Sequence, residues 1–96
     1  MEMHRIVRDR REEILRIAAS HGARNVRIFG SMARGEARPD SDLDVLVSLE
    51  AGRSVLDLVA IKQDLEDLLG RAVDVVTEAA VSPYMRDQVL EEAVSL

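Results

Sequence analysis

Two small residues and two carboxylates form the part of this sequence whose types and spacing could do chemistry. Gly30-Ser31 is followed by ten residues and then by Asp42-Leu43-Asp44. A glycine lets the backbone come close to a ligand, and the serine offers a hydroxyl and an N–H at the start of a helical turn. This pair can therefore hold the β- and γ-phosphates of a nucleotide. Residues two apart on a strand face the same side, so Asp42 and Asp44 are predicted to project together beside that bend.

The two aspartates predict a site for a hard divalent cation. Like charges held side by side raise each other's pKa and destabilise a fold unless a cation bridges them. The chain has no cysteine, and neither of its two histidines is well placed, so the oxygen ligands favour Mg²⁺ or Mn²⁺ over Zn²⁺. Because Mg²⁺ usually completes its shell with substrate phosphates, a nucleoside triphosphate is the expected substrate.

Asp74 is the candidate for a third carboxylate ligand. It interrupts the apolar run 72–76 in the middle of a predicted strand, where an ionised side chain is costly unless it is paired or coordinating. Two metal ions about 4 Å apart need such a ligand, and Asp74 would supply it if its strand lies beside that of Asp42 and Asp44. The alternative interpretation is an edge-strand aspartate that faces water.

Arg34 is a weaker candidate for nucleotide binding. It lies three residues after Ser31, on the same side of the predicted turn, and could add a charge-assisted contact to a phosphate. An exposed arginine of a helical turn explains its position equally well. Ser41 is interpreted as a turn residue rather than a ligand.

The elements that position these residues follow from hydrophobic periodicity and from capping residues. The pattern predicts a helix over 6–20 with Gly22 as its cap, a strand over 25–29, at most a helical turn over 32–36, a loop over 37–41, a strand over 43–49, a helix over 55–69 ended by Gly70, a strand over 72–77, and a helix from Ser82-Pro83 to about 93. This order favours a small α/β fold with a mixed sheet packed against helices. We expect one domain over 1–96, because so short a chain cannot divide its core.

Composition excludes several other classes of protein. The formal charge of -5 argues against a free-standing nucleic-acid binder, because phosphate contacts need a basic face. The lack of cysteine rules out disulfides and thiolate-zinc sites. No apolar run approaches the length of a membrane span, and the first residues do not resemble a leader, so we expect a cytoplasmic protein without a membrane partner.

These motifs resemble those of the nucleotidyltransferase superfamily related to DNA polymerase β. Its hallmark is Gly-Ser, a ten-residue spacer, Asp-x-Asp and a later strand carboxylate, which Gly30-Ser31, Asp42-x-Asp44 and Asp74 match in order and spacing. Four segments look like its minimal branch, the MNT proteins, and extend the resemblance over nearly the whole chain: 30–37, 41–47, 73–77 and 84–94.

The resemblance implies the polymerase β-like minimal core as the fold and an enzyme that pairs with a toxin. In HEPN/MNT pairs the MNT protein is an antitoxin that transfers AMP from ATP to a tyrosine of a HEPN ribonuclease. Asp42, Asp44 and Asp74 would be the catalytic and metal-binding residues, while Gly30, Ser31 and Arg34 would bind the nucleotide. Two alternatives stay open: a non-catalytic antitoxin that acts by occlusion, and nucleotide transfer to RNA or to a small molecule.

Overall fold

Parallel and antiparallel strands meet in one sheet. The computed structural model describes residues 5–36, 38 and 41–96, and within them the strands are β1 (Ala23–Phe29), β2 (Leu43–Leu49), β3 (Val73–Thr77) and β4 (Val94–Ser95). Their order in the sheet is β3-β2-β1-β4. β1 is antiparallel to both β2 and β4, whereas β2 and β3 are parallel. The predicted mixed sheet of an α/β fold is confirmed.

Five α-helices connect and flank the strands in the described part of the chain. They are α1 (Arg5–Asp9), α2 (Arg11–Ser20), α3 (Ser31–Arg34), α4 (Val55–Leu69) and α5 (Pro83–Glu92), with a 3-10 turn at Glu78–Ala80. The single helix predicted over 6–20 is wrong in one respect, because it is divided at Arg10. The φ of -110° and ψ of 16° at Arg10 leave the helical region.

Capping residues explain why the bounds of α4 and α5 agree with the sequence. Ser54 and Asp57 form a reciprocal capping box at the start of α4, and Gly70 ends that helix in the left-handed conformation with a φ of 66°. At the start of α5, the Ser82 side chain accepts a hydrogen bond from the backbone N–H of Tyr84, and Pro83 occupies the first turn.

The core lies between one face of the sheet and two helices. α2 packs against β1, α4 packs against β3, and the two helices contact each other. Leu43, Val45 and Val47 of β2 point into this core and are buried, as their alternation predicts. Asp44 alternates with them and therefore lies on the opposite face, which carries the candidate site.

The chain end adds a strand that the sequence does not reveal. Val94 and Ser95 pair with Ile28 and Arg27 of β1, and the Leu96 backbone N–H donates to the Val26 carbonyl at 3.0 Å. Two residues are too short for a period-two pattern, so β4 gives no sequence signal. Among the residues that the structure describes, no helix is long and apolar enough to cross a membrane.

Candidate active site

Asp44 and Asp74 are neighbours in the sheet. β2 and β3 are parallel, and their register aligns Asp44 with Asp74. Aligned residues of adjacent strands share a face, so both carboxylates project to the side of the sheet opposite α2 and α4. Asp42 immediately precedes β2 and is two residues from Asp44. The structure therefore brings the three predicted acidic residues together where β2 and β3 begin.

The charges of these carboxylates are coupled. Asp44 is half-buried, whereas Asp42 and Asp74 are exposed. Burial raises the pKa of the Asp44 carboxyl above its ordinary value, the negative charges of Asp74 and Asp42 raise it further, and Arg34 opposes them. A nearby cation would therefore stabilise the ionised form of Asp44.

Gly30 forms a sharp bend that lies against the side chain of Asp44. The last residue of β1, Phe29, pairs with Asp44, and Gly30 follows with a φ of 74° and a ψ of -156°. A β-carbon on Gly30 would overlap the Asp44 carboxylate oxygen Oδ2. The Gly30 carbonyl accepts from the N–H groups of Ala33 and Arg34, both at 3.1 Å, which starts the turn of α3 at Ser31. Only glycine fits this conformation and this contact.

The bend and Asp44 open into a pocket of about 370 Å³. Its wall on the other side is α5, and the lining residues are Phe29, Gly30, Ser31, Arg34, Asp44, Met85, Gln88, Val89 and Glu92. This volume lies within the usual range of small-molecule sites. A larger depression of about 560 Å³ lies on the charged outer face of α1 and α2, but it contains none of the residues predicted to do chemistry.

Arg34 is held inside this pocket by two carboxylates. Its Nε donates to Glu36 Oε2 and its Nη1 donates to Glu92 Oε2, each at 3.0 Å. These hydrogen bonds raise the pKa of the Arg34 guanidinium. Arg34 is therefore not a freely solvated turn residue. Its predicted role in nucleotide binding requires that guanidinium N–H groups not used by Glu36 and Glu92 donate to a phosphate.

The residues contributed by α5 are absent from the sequence prediction. Met85 and Val89, and likewise Gln88 and Glu92, are four residues apart and so share one face of the helix. That spacing shows which side chains act together. It does not show that this face lies over Gly30 and Ser31, because only tertiary packing decides where α5 docks.

Asp74 occupies a less costly position than the apolar run around it suggests. β3 is an edge strand, and Asp74 is exposed on it. Exposure removes most of the desolvation penalty that the sequence predicts for an ionised group in mid-strand. The alternative interpretation is therefore correct that Asp74 lies on an edge strand and is exposed to solvent. The register nevertheless places Asp74 beside Asp44.

The donor set suits a divalent cation that takes part of its shell from elsewhere. Within residues 5–36, 38 and 41–96, no three His, Cys, Asp or Glu side chains are arranged to hold a metal ion by themselves. Mg²⁺ commonly uses one or two carboxylates together with water and substrate phosphates. Asp44, whose pKa is raised by burial and then by the acidic neighbours Asp74 and Asp42, fits such a partial ligand set.

Comparison with known proteins agrees with this arrangement. The sequence pattern of the family described as "Nucleotidyltransferase domain" matches residues 11–96. A candidate protein adenylyltransferase of Methanocaldococcus jannaschii is 43% identical over 86 residues, which are 90% of this chain and 92% of the relative. Protein adenylyltransferase MntA of Thermococcus cleftensis is 38% identical over 91 residues, and the match covers 86% of this chain and 92% of the relative.

Solved structures are similar as well. A structure described as a candidate minimal nucleotidyltransferase has a TM-score of 0.84 and 56% identity, with 94% of this chain and 92% of that chain covered. A crystal structure of a toxin-antitoxin with AMP-PNP has a TM-score of 0.75 and 21% identity, with 88% of this chain and 69% of that chain covered. The second likeness shows the shared fold alone.

Proposed function

Because the chain belongs to the nucleotidyltransferase domain family, we propose that it transfers AMP from ATP to a hydroxyl group of a partner protein. Family membership confirms the predicted enzyme class at the level of a nucleotidyltransferase. Relatives 43% and 38% identical to this chain carry the name protein adenylyltransferase, one of them as a candidate, which supports a protein as the acceptor.

The observation that carries the proposal is the register of Asp44 with Asp74 beside the bend at Gly30. Asp42 and Asp44 would hold the divalent ions, Mg²⁺ or Mn²⁺, and Asp74 would complete the ligand set on the acceptor side. Gly30 and Ser31 would hold the β- and γ-phosphates in the pocket under α5. The coupled carboxylates support these roles, because three acidic groups near one another are stabilised by cations.

The reaction is a substitution at the α-phosphorus of ATP. The acceptor hydroxyl gives up its proton to solvent and its oxygen forms a bond to that phosphorus, while the bond to the oxygen bridging the α- and β-phosphates breaks and pyrophosphate leaves. Divalent ions held by these carboxylates would help to activate the acceptor hydroxyl and would stabilise charge on the leaving pyrophosphate. The contribution of the chain itself would be positioning: the bend at Gly30 would orient the triphosphate, and the half-buried Asp44 would hold the cations.

The proposed partner is a HEPN ribonuclease toxin, and the proposed acceptor is one of its tyrosines. The support is the resemblance of segments 30–37, 41–47, 73–77 and 84–94 to MNT antitoxins. The net charge of -5 disfavours RNA as the acceptor. In this proposal the chain acts in the cytoplasm as an antitoxin that modifies its toxin.

Transfer of label from ATP labelled at the α-phosphorus tests the proposal. The variant Asp42→Asn with Asp44→Asn should remove transfer to the co-expressed partner and leave circular dichroism unchanged. Asp9→Asn with Asp67→Asn removes the same two charges from exposed helix positions and should transfer at the wild-type rate. Retained transfer in the first variant would refute the assignment. If it lost transfer but still neutralised the partner, neutralisation would act by occlusion.

A further inference from the structure

Asp42 lies just outside β2, so the sheet alone does not fix its backbone. Both peptide groups that flank it are nevertheless held by Arg71 and Ala72, the two residues that directly precede β3. On one side, Arg71 Nη1 donates a hydrogen bond to the Ser41 carbonyl at 3.2 Å. On the other side, the Leu43 N–H donates to the Ala72 carbonyl at 3.0 Å. The position of Asp42 thus depends on two consecutive residues of the segment between α4 and β3.

We propose that Arg71 is a positioning residue for Asp42. This inference rests on the proposed function, in which Asp42 is a ligand of divalent ions. Arg71 itself is not among the residues that line the nucleotide pocket. It acts through the carbonyl of Ser41, and the effect of removing it should therefore appear first in cation binding and in the rate of transfer.

The segment that carries Arg71 is anchored on both sides. Gly70 ends α4, and its N–H donates to the Glu66 carbonyl at 2.9 Å. The Glu66 side chain accepts a hydrogen bond from the Val73 N–H at 3.0 Å and another from Lys62 Nζ at 2.7 Å. Arg71 lies between these two anchors. The backbone of Arg71 is therefore well fixed, and its side chain can donate to the carbonyl of Ser41 from a defined position.

Ser41, whose carbonyl accepts from Arg71, is also bonded to Arg38. Ser41 Oγ accepts from the Arg38 N–H at 2.7 Å, and the Ser41 N–H donates to the Arg38 carbonyl at 3.0 Å. Arg71 connects Ser41, the residue directly before Asp42, to the segment that leads into β3. Loss of that bond would free Ser41 and Asp42 together, and a misplacement of about 1 Å can cost a hundredfold in rate.

Arg86 offers a matched control for this interaction. Its Nη2 donates to the Val81 carbonyl at 3.2 Å, the same distance that separates Arg71 Nη1 from Ser41. Both arginines are half-buried, and the Nε atom of each is buried without a hydrogen-bond partner. Arg86 bonds to the residue before the N-cap of α5 and, according to the lining residues, does not contribute to the pocket that contains Asp44. The two substitutions should therefore have similar costs in stability and different effects on the site.

The test measures binding of Mn²⁺ to the full chain by electron paramagnetic resonance, with Asp42→Asn as the reference. We expect Arg71→Gln to weaken Mn²⁺ binding by about tenfold, the lower end of losses seen when a group supporting a ligand is removed. It should lower kcat for transfer with little change in KM for ATP. Arg71→Lys should recover part of the loss, because an ammonium can still donate one bond to the carbonyl.

Each outcome decides between two claims. If Asp42→Asn leaves Mn²⁺ binding unchanged, Asp42 is not a ligand, and both the proposed site and the role of Arg71 are overturned. If Asp42→Asn weakens binding while Arg71→Gln behaves like Arg86→Gln, only the role of Arg71 is overturned. Should Arg71→Gln fail to fold, Arg71→Lys decides: Mn²⁺ affinity and kcat equal to those of Arg86→Lys would contradict the proposal.

Discussion

Gly30 and Asp44 lie so close together that residue 30 has no room for a side chain. A β-carbon there would overlap Oδ2 of Asp44 and lie 3.2 Å from its Cγ. The φ of 74° at Gly30 independently disfavours any other residue. The bend and the carboxylate are therefore one structural unit, and a change at either should disturb both.

Gly30→Ala should abolish nucleotidyl transfer. The new methyl group must displace the Asp44 carboxylate, and it places an L-residue in a region used almost only by glycine, at a cost of about 1–3 kcal/mol. Transfer from labelled ATP measures the first effect, and urea unfolding measures the second. Transfer at more than a tenth of the wild-type rate would show that Asp44 can move without loss of function.

Gly52→Ala is the control that separates the clash from the backbone strain. Gly52 has a φ of 88°, and a β-carbon there would meet no atom within 4 Å. Gly52→Ala should therefore lose stability and keep transfer. Equal losses of transfer in both variants would attribute the effect of Gly30→Ala to general destabilisation.

The parts of this fold that sequence reasoning predicts are those decided by local interactions. Ser82 with Pro83 starts a helix through contacts within one turn, and Gly70 ends one in the same way. Alternation along β2 separates Asp44 from the core residues on either side of it. Such signals need no knowledge of distant residues, and for this reason the bounds of β2, α4 and α5 agree closely with the prediction.

The remaining features depend on distant contacts. The register of Asp44 with Asp74 follows from the parallel pairing of β2 and β3, which the sequence allows but does not specify. The docking of α5 over Gly30 depends on packing, so Glu92 and its bond to Arg34 could not be predicted. The two-residue β4 has no detectable period. The roles of Asp42, Asp44, Asp74, Gly30, Ser31 and Arg34 stay predictions until the variants are measured.

The ionised Asp44 carboxylate should destabilise the folded protein at neutral pH when divalent ions are absent. Its pKa is raised in the folded protein, first by burial and then by Asp74 and Asp42. The folded state thus binds this proton more tightly than the unfolded chain does. Protonated Asp44 contributes fully to the free energy of unfolding at pH values below its pKa in the unfolded chain, about 3.9. This contribution is lost as the pH rises through the pKa that Asp44 has in the folded protein. In EDTA, Asp44→Asn should therefore be more stable than the wild type at pH 7.

Urea unfolding at pH 7 and at pH 4 measures this effect. The advantage of Asp44→Asn over the wild type should shrink towards pH 4, because a larger fraction of the native Asp44 is protonated as the pH falls. Asp67→Asn changes an exposed carboxylate on α4 and should show no comparable trend. An advantage of the same size at both pH values would mean that ionisation of Asp44 is not its source.

Arg34→Ala should raise the KM for ATP by about tenfold. A hydrogen bond to a charged group contributes about 1.5–3 kcal/mol, and loss of one phosphate contact corresponds to the lower end of that range. Arg53→Ala is the matched control, because the Arg53 side chain is 37% exposed against 36% for Arg34 and also contacts two carboxylates, those of Glu50 and Asp57. If both variants keep the wild-type KM, Arg34 serves only to connect α3 to Glu36 and Glu92.

Divalent ions together with a non-hydrolysable ATP analogue should stabilise the protein. A ligand present at a hundred times its dissociation constant adds about 2.7 kcal/mol, and each kcal/mol raises the Tm of a domain this size by about 4–8 °C. Asp74→Asn should lose most of this rise because it removes a carboxylate aligned with Asp44. Differential scanning calorimetry with Mg²⁺ and with EDTA measures the shift, and Asp67→Asn should behave as the wild type. A full Mg²⁺-dependent rise in Asp74→Asn would exclude Asp74 from the cation site, leaving Asp42 and Asp44 as the carboxylates that hold it.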